Sequence, residues 1–557
     1  MLPDARSVIP AFVAFSALVA LVAPVALATT DSAATKAPPA YESVFDDSKV
    51  HTITLVLDPA QAEGLAHRPF DWVKGDVIID GEVVKGAGVR YKGNSSAGIR
   101  TPKMPFKIDF GEFVDGQTFH GLKMLVLNNG FKDPSMMREK LAYDLFRAAG
   151  VPASRCAHAR VSVRSTPTKP EDKPADEYLG LYTMVEHVDE VFLDERFGGH
   201  AGNLYKLEMD PFMARPGGEK RRPEEGPPRG EGGGQAGGAG VGGGAGGGGG
   251  AGGGGGAGGG GGAGGGGGAG GPPRQGPGPA REVELKTNES TNDRSRLDAF
   301  VKAVNDPTAD LSPWIDATVF AKYLALTSLL VNLDSIAGTG HNAYLYDDPK
   351  SGKFVIIPWD LNEAFGNFQM GPPAEMLEWS IAKPFAGRKP LIERFVGTAA
   401  FKEAYLAAAA SFAKGAFAPA AMSKRIDALA ALVKDAALAD GNTQFDREAW
   451  STALAGDFTD SRRMGPMQST IFGLKPFVAK RVASVEAQLA GKSEGKVITQ
   501  RMGPPGGQRG PGGQGGPGGQ GGARGPGDPQ GQGGPGGQGG PNGPPPRDLP
   551  SPPSTPP

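Results

Sequence analysis

The chain is 557 residues long, with 89 glycines, 50 prolines and a formal net charge of −2. That charge gives no basis for nucleic-acid or anionic-membrane binding, and the single cysteine, Cys156, excludes an internal disulfide. Glycine and proline are concentrated in two tracts that cannot bury a core, so the remainder suits one large two-lobed domain.

The N-terminus has the pattern of a secretory signal. Arg6 precedes an apolar run over 9–27, broken by Pro10 and Pro24, and Ala26-Leu27-Ala28 is a small-x-small cleavage pattern. The expectation is a signal peptide over 1–28, a secreted or extracytoplasmic protein, and no stable membrane span after cleavage. An uncleaved anchor is the alternative, which Pro24 and the marginal length disfavour. Residues 29–45 read as an Ala/Pro/Thr linker. Cys156 lies in a strand-like apolar segment and reads as a small buried hydrophobe.

From there the first half is strand-rich. Residues 51–57 alternate; 76–84 read as a hairpin continuing into a strand over 88–92; 104–110 and 122–127 are further strands. Gly93-Asn94-Ser95-Ser96 is a small polar loop between strands. Asp133 or Ser135 can cap a helix running to Gly150, with Leu141, Leu145 and Ala148 as its apolar stripe. Strands follow over 159–163 and 180–185, then a short helix over 189–197.

Residues 216–280 form a Gly-rich disordered insertion. A strand over 281–286 and a helix over 297–304 come next, and helices dominate afterwards, over 317–332, 391–412, 419–439 and 477–489. Residues 491–557 read as a disordered Gly/Pro/Gln tail without the period-three glycine of collagen. The expected fold is α+β and bilobal, with a β-rich N-lobe over 46–215 and a helical C-lobe over 281–490 that holds the chemistry-bearing segment.

That segment is 330–366, where Asp334, His341-Asn342, a hairpin and Asp360 follow one another. The hairpin strands flank an Asp347-Asp348-Pro349-Lys350-Ser351-Gly352 turn, with Ala343 and Leu345 on one face and Tyr344 and Tyr346 on the other. Two carboxylates and an amide at the ends of a hairpin suit a divalent metal with its phosphates, plus a hydroxyl nucleophile. Asp334 would orient the hydroxyl and accept its proton; Asn342 and Asp360 would bind metal. Taken singly, Asp334 could cap a helix end and Asp360 the LNEAF segment.

Phosphoryl transfer also needs a cation on the nucleotide phosphates and a carboxylate to hold it. Lys107 and Glu139 are the candidates, with Lys103 on the same strand face as a rival for Lys107; two ordinary surface charges are the alternative. Gly93, Asn94 and Ser95 could lay backbone N–H groups against phosphates, or simply turn the chain. Glu186 opens a strand-to-helix junction, 186–189, that could form the hinge between lobes. His187 reads as a packed or surface histidine, and His341 as a site or loop-supporting residue.

Together the segments VRYKGNSS (89–96), KMPFKIDF (103–110), DPSMMREKLAYDLFRAAGVPASR (133–155), GLYTMVEHVDEVFLDERFG (180–198), GNLYKLE (202–208), LDSIAGTGHNAYLYDD (333–348) and IIPWDLNEAFG (356–366) resemble the CotH kinase family of secreted or spore-coat atypical kinases. The resemblance implies an atypical protein-kinase-like fold that uses ATP and Mg²⁺ or Mn²⁺ to phosphorylate Ser or Thr on Ser-rich extracytoplasmic or coat proteins. It implies Asp334 as catalytic acid and Asp360 and Asn342 as metal ligands, and places Lys107 and Glu139 by their position in the lobe. A non-catalytic extracellular binding or coat-assembly protein on the same scaffold is the alternative. The 334–342 loop is longer than an ordinary kinase catalytic loop, and the Gly tract between GNLYK and ELKTNE could alter substrate access.

Overall fold

A computed structural model describes residues 39–93, 103–166, 175–213, 283–460 and 469–499. The expected signal peptide, the Gly-rich insertion, Asn94, Ser95 and residues 500–557 lie outside the described residues. Among the described residues no helix is long and apolar enough to cross a membrane.

The class is α+β. Its first half is a closed barrel of seven strands: β1 Val50–Leu57, β2 Val73–Ile79, β3 Glu82–Tyr91, β4 Phe106–Asp109, β5 Met124–Asn128, β6 Cys156–Ser165 and β7 Asp176–Glu186. Strand order is β1-β2-β3-β4-β5-β7-β6, and a parallel pairing of β1 with β6 closes the ring. Alternation explains the closure, because inward residues such as Ile53, Leu55, Val89, Phe106, Ile108 and Leu127 fill one core. Ala40–Phe45, in the stretch read as a linker, is instead a 3-10 turn whose Tyr41, Val44 and Phe45 join that core.

The outer face of the barrel is covered too. Helix α1 (Pro59–His67) lies between β1 and β2, and α2 (Arg138–Ala148) follows β5. The sequence places Asp133 and Ser135 well: Asp133 Oδ2 accepts from Arg138 N at 2.9 Å and Ser135 Oγ from Met137 N at 3.2 Å. The apolar face of α2 packs on Val126, Cys156 and Val185 of the barrel exterior.

After α3 (Glu190–Phe197, capped by Asp189), strands β8 (Leu204–Leu207) and β9 (Val283–Leu285) join a hairpin of β10 (Ala343–Asp348) and β11 (Lys353–Pro358) in a sheet ordered β11-β10-β8-β9. Both faces of β10 are buried, and on one of them Tyr344 meets Trp359 at 5.4 Å between ring centroids and Tyr346 meets Phe197 at 4.6 Å. Around it pack α4 (Ser295–Asn305), α5 (Ala317–Leu329), α6 (Pro373–Leu377), α7 (Pro390–Val396), α8 (Ala399–Lys414), α9 (Pro419–Ala439), α10 (Arg447–Ala455), the β12–β13 pair (Phe458–Asp460, Ser469–Ile471) and α11 (Leu474–Leu489).

Three expectations change. The helix expected over 391–412 is two helices, broken at Gly397-Thr398. Helices α1 and α10 escape a reading based on apolar periodicity because each buries only one or two residues. The tail does not begin at 491, since Lys496 pairs with Trp379 and Ile498 is buried.

Lys103, the rival phosphate-binding lysine, is an anchor between the two halves. Its Nζ lies 2.6 Å from Asp440 just past α9, and Leu181 N of β7 donates to the same carboxylate at 3.0 Å. Gly180 makes room: a Cβ there would overlap that carboxylate. Removing one member of a buried ion pair strands the other. Asp440→Ala is therefore expected to destabilise the protein by about 3–5 kcal/mol in urea unfolding, against less than about 1 kcal/mol for a surface change such as Asp427→Ala.

Candidate functional site

The barrel exterior, α2 and the open end of the β10–β11 hairpin converge on one group of charges. Lys92, directly after β3, donates to Asn128 Oδ1 at 2.5 Å. Asn128 Nδ2 in turn donates to Glu139 Oε1 of α2 at 2.7 Å. Asp360 completes the group from the hairpin end; its charge acts on both Lys92 and Glu139. Trp359 lies under the lysine, 5.8 Å from Nζ to ring centroid.

Electrostatics follow from burial. Desolvation lowers Lys92 from its usual value, and the Asp360 and Glu139 carboxylates pull it back up. Desolvation raises Glu139, and Asp360 raises it further, while Lys92 and Asn128 oppose the shift. Glu139 is 3% exposed, so no water replaces its partners.

Asp360 is placed by an unusual backbone. Both Asn342 (φ 58) and Asp360 (φ 54) are left-handed, a conformation Asn and Asp tolerate better than other non-glycine residues. They flank the hairpin mouth, where Ala343 pairs with Pro358 and Trp359 N donates to Asn342 O at 3.2 Å. Tyr143 of α2 holds the turn by accepting from Asp360 N at 3.1 Å.

Asp334 follows the end of α5 and is tied to the hairpin by Asn342, whose Nδ2 donates to Asp334 Oδ2 at 2.9 Å and to its carbonyl at 3.0 Å. That commits the amide nitrogen, leaving the amide oxygen as the atom able to ligate a cation. His341 Nε2 stands 3.5 Å from Asp334 Oδ1. Burial raises the Asp334 carboxyl; His341 opposes this and Asp360 adds to it. Asp334, Asn342 and Asp360 are thus brought together. Among the described residues no group of three or more His, Cys, Asp or Glu side chains is arranged to hold a metal ion. The donors gathered here are two carboxylates and an amide oxygen, a hard-oxygen set suited to Mg²⁺ when phosphates supply the remaining ligands.

The other expected residues divide. Glu139 lies in the group, but its cation is Lys92, not Lys107. Lys107 sits in mid-β4, in the field of Arg90, Lys286, Asp109 and Asp189. The physical reason is register: Lys107 pairs with Arg90 and Val126, one step along the sheet from Asn128 and Lys92. Glu186 is buried in an ion-pair group, 2.7 Å from Arg196 and 3.3 Å from Arg155, so its carboxylate braces the 186–189 junction. Gly93 is exposed beside Lys92. Sequence reasoning missed Lys92, Asn128 and Tyr143. The signal for Lys92 was its place at the end of a strand directly before the Gly93 loop.

Against known proteins, the family model described as CotH kinase protein matches residues 89–233 and 275–463, more than half of the chain. The matched residues span the barrel exterior, α2 and the hairpin that form the charge group. The chain belongs to the CotH kinase protein family. It is similar to inner spore coat protein H of Bacillus subtilis (strain 168), 22% identical over 258 residues. That match covers 46% of this chain and 53% of the relative, so the chain spans about half the length of that curated protein.

The Lys92–Glu139 coupling, carried through Asn128, is measurable apart from any activity. Lys92→Met leaves Glu139 and Asp360 facing each other without a cation and is expected to lower unfolding free energy by about 1–3 kcal/mol. Adding Glu139→Leu should restore more than half of that loss in a double-mutant cycle. Strictly additive losses would show that the two side chains do not interact.

Proposed function

We propose that this CotH-family chain is an ATP- and divalent-metal-dependent protein kinase that transfers the γ-phosphate to Ser or Thr hydroxyls of extracytoplasmic proteins. The observation that supports this best is Lys92 tied through Asn128 to Glu139 in the field of Asp360, with Asn342 bonded to Asp334 nearby. A half-buried cation among carboxylates matches what phosphoryl transfer asks of a protein: positioning and charge neutralisation. The barrel and the helical half stand for the N- and C-lobes of a kinase-like bilobal fold in this reading.

Lys92 would hold phosphate oxygens, with Glu139 and Asn128 fixing its amine. Asp360 and the Asn342 amide oxygen would hold the cation. A divalent cation with ATP supplies neutralisation of charge on the phosphoryl oxygens. Asp334 would accept the proton of the attacking serine hydroxyl; burial raises its basicity, and the Asn342 amide fixes which oxygen faces the acceptor. Gly93 would lie against the phosphates, and the 186–189 junction against the base.

The relative's printed name, a spore coat protein, favours a second reading: a coat-assembly or binding protein on this scaffold, without turnover. Both readings place the chain outside the cytoplasm.

The full chain, incubated with γ-labelled ATP and Mg²⁺ or Mn²⁺, is expected to label itself or dephosphorylated casein. Asp360→Asn should cut the rate about 10²-fold or more while the variant stays folded by circular dichroism. Unchanged labelling by Asp360→Asn contradicts the site. No labelling, and no rise in melting temperature with ATP and metal, favours the assembly protein, because a ligand of the native state must stabilise it.

A further inference from the structure

The loop that follows Asp334 is folded tightly on itself. Ser335 Oγ donates to Asn332 O at 2.6 Å and accepts from Ala337 N at 3.2 Å. Ser335 O accepts from Gly338 N at 3.0 Å and from Gly340 N at 2.9 Å, and Leu333 O accepts from Thr339 N at 3.0 Å. Those bonds fix the shape of the loop, and two contacts from outside fix its seat. Ala386 N, in the segment before α7, donates to Ala337 O at 2.8 Å. Asp210, three residues past β8, closes on Gly340: a Cβ there would come within 2.8 Å of Asp210 Cβ and 3.0 Å of its backbone nitrogen.

Asp210 is one half of a separated pair. Its Oδ1 accepts from Phe212 N at 2.9 Å, while its Oδ2 lies 4.0 Å from Lys389 Nζ, too far for a direct hydrogen bond. Lys389 stands directly before α7, where its N donates to Glu393 Oε1 at 2.7 Å. It is 4% exposed, and among the described residues its amine has no hydrogen-bond partner. Both groups line a cavity of about 10 Å³, walled by Ile336 of the loop, Leu345 and Ile356 of the hairpin, and Leu391 and Ile392 of α7. That is room for one water, and an amine with a carboxylate gives it the two polar partners it needs. Burial raises Asp210 and lowers Lys389, and each charge opposes the shift of the other. A separated pair in an apolar wall adds little stability over apolar packing; what it fixes is register.

We propose that Lys389 and Asp210, bridged by one water, are positioning residues that seat the 335–340 loop and so aim Asp334 at the hydroxyl acceptor. Asp334 stands directly before that loop and Asn342 just past it, and the two are bonded to each other, so movement at Ile336 or Gly340 displaces the base. Lys92, Glu139 and Asp360 lie on other elements, and the nucleotide side of the site is left alone. The inference rests on the kinase reading for what Asp334 does; the hold on the loop is a property of the fold and has its own readout.

Hydrogen exchange of the full chain, followed by mass spectrometry, is that readout. In Lys389→Met, and separately in Asp210→Asn, a peptide spanning 335–340 should exchange about tenfold faster or more, while peptides from β1 keep their wild-type rate. The double variant should loosen the loop no more than either single change, because the bridge is already broken. Unchanged exchange over 335–340, faster exchange in β1 as well, or additive effects in the double variant would each overturn the hold. In labelling assays both single variants should lose about tenfold or more in kcat, with KM for ATP within about twofold of wild type. A loosened loop with kcat unchanged, or a loss that falls on KM, contradicts the positioning role. Failure of the kinase reading alone looks different: no labelling by any form, wild type included, with the exchange response of the loop intact.

Discussion

A lysine amine enclosed with two carboxylates is the constraint around which this molecule is organised. Lys92 comes from the barrel, Glu139 from the helix that covers the barrel, and Asp360 from the hairpin of the helical half. Burial disfavours the charges of Lys92 and Glu139, so each depends on the other and Lys92 also on Asp360. The arrangement therefore requires that both halves dock in one register. The Lys103–Asp440 pair, far away in sequence, meets the same requirement on another edge of the barrel.

Backbone geometry serves the same end. Asn342 and Asp360 hold left-handed conformations on the two sides of one hairpin mouth, which costs conformational energy that the surrounding hydrogen bonds offset. The Asn342 side chain bonds Asp334, and the Asp360 charge acts on Lys92 and Glu139.

Much of this was legible in the chain. Period-two alternation marked the barrel strands, the Asp347–Gly352 breakers marked the hairpin, and the spacing of Asp334, Asn342 and Asp360 around it marked the acid end. The pairing of Glu139 with Lys92 instead of Lys107 is of a different kind. Both side chains lie on the outer face by simple alternation, and only the docking of α2, through Asn128, decides which of them meets Glu139. Such a contact depends on sheet order and helix placement, which no local pattern encodes. The same holds for Asp440 and Lys103, separated by hundreds of positions yet in direct contact. The break between α7 and α8 was readable in principle from Gly397-Thr398, but the apolar run across it masked the stop.

The central claim, that Lys92 and Asp360 belong to one phosphate- and metal-binding centre, is tested most directly by a crystal structure with a non-hydrolysable ATP analogue and Mn²⁺. The account predicts an anomalous Mn²⁺ peak bound by Asp360 and the Asn342 oxygen, with Lys92 Nζ about 3 Å from a phosphate oxygen. A nucleotide seated elsewhere, or phosphates that leave Lys92 bonded only to Asn128, would contradict it.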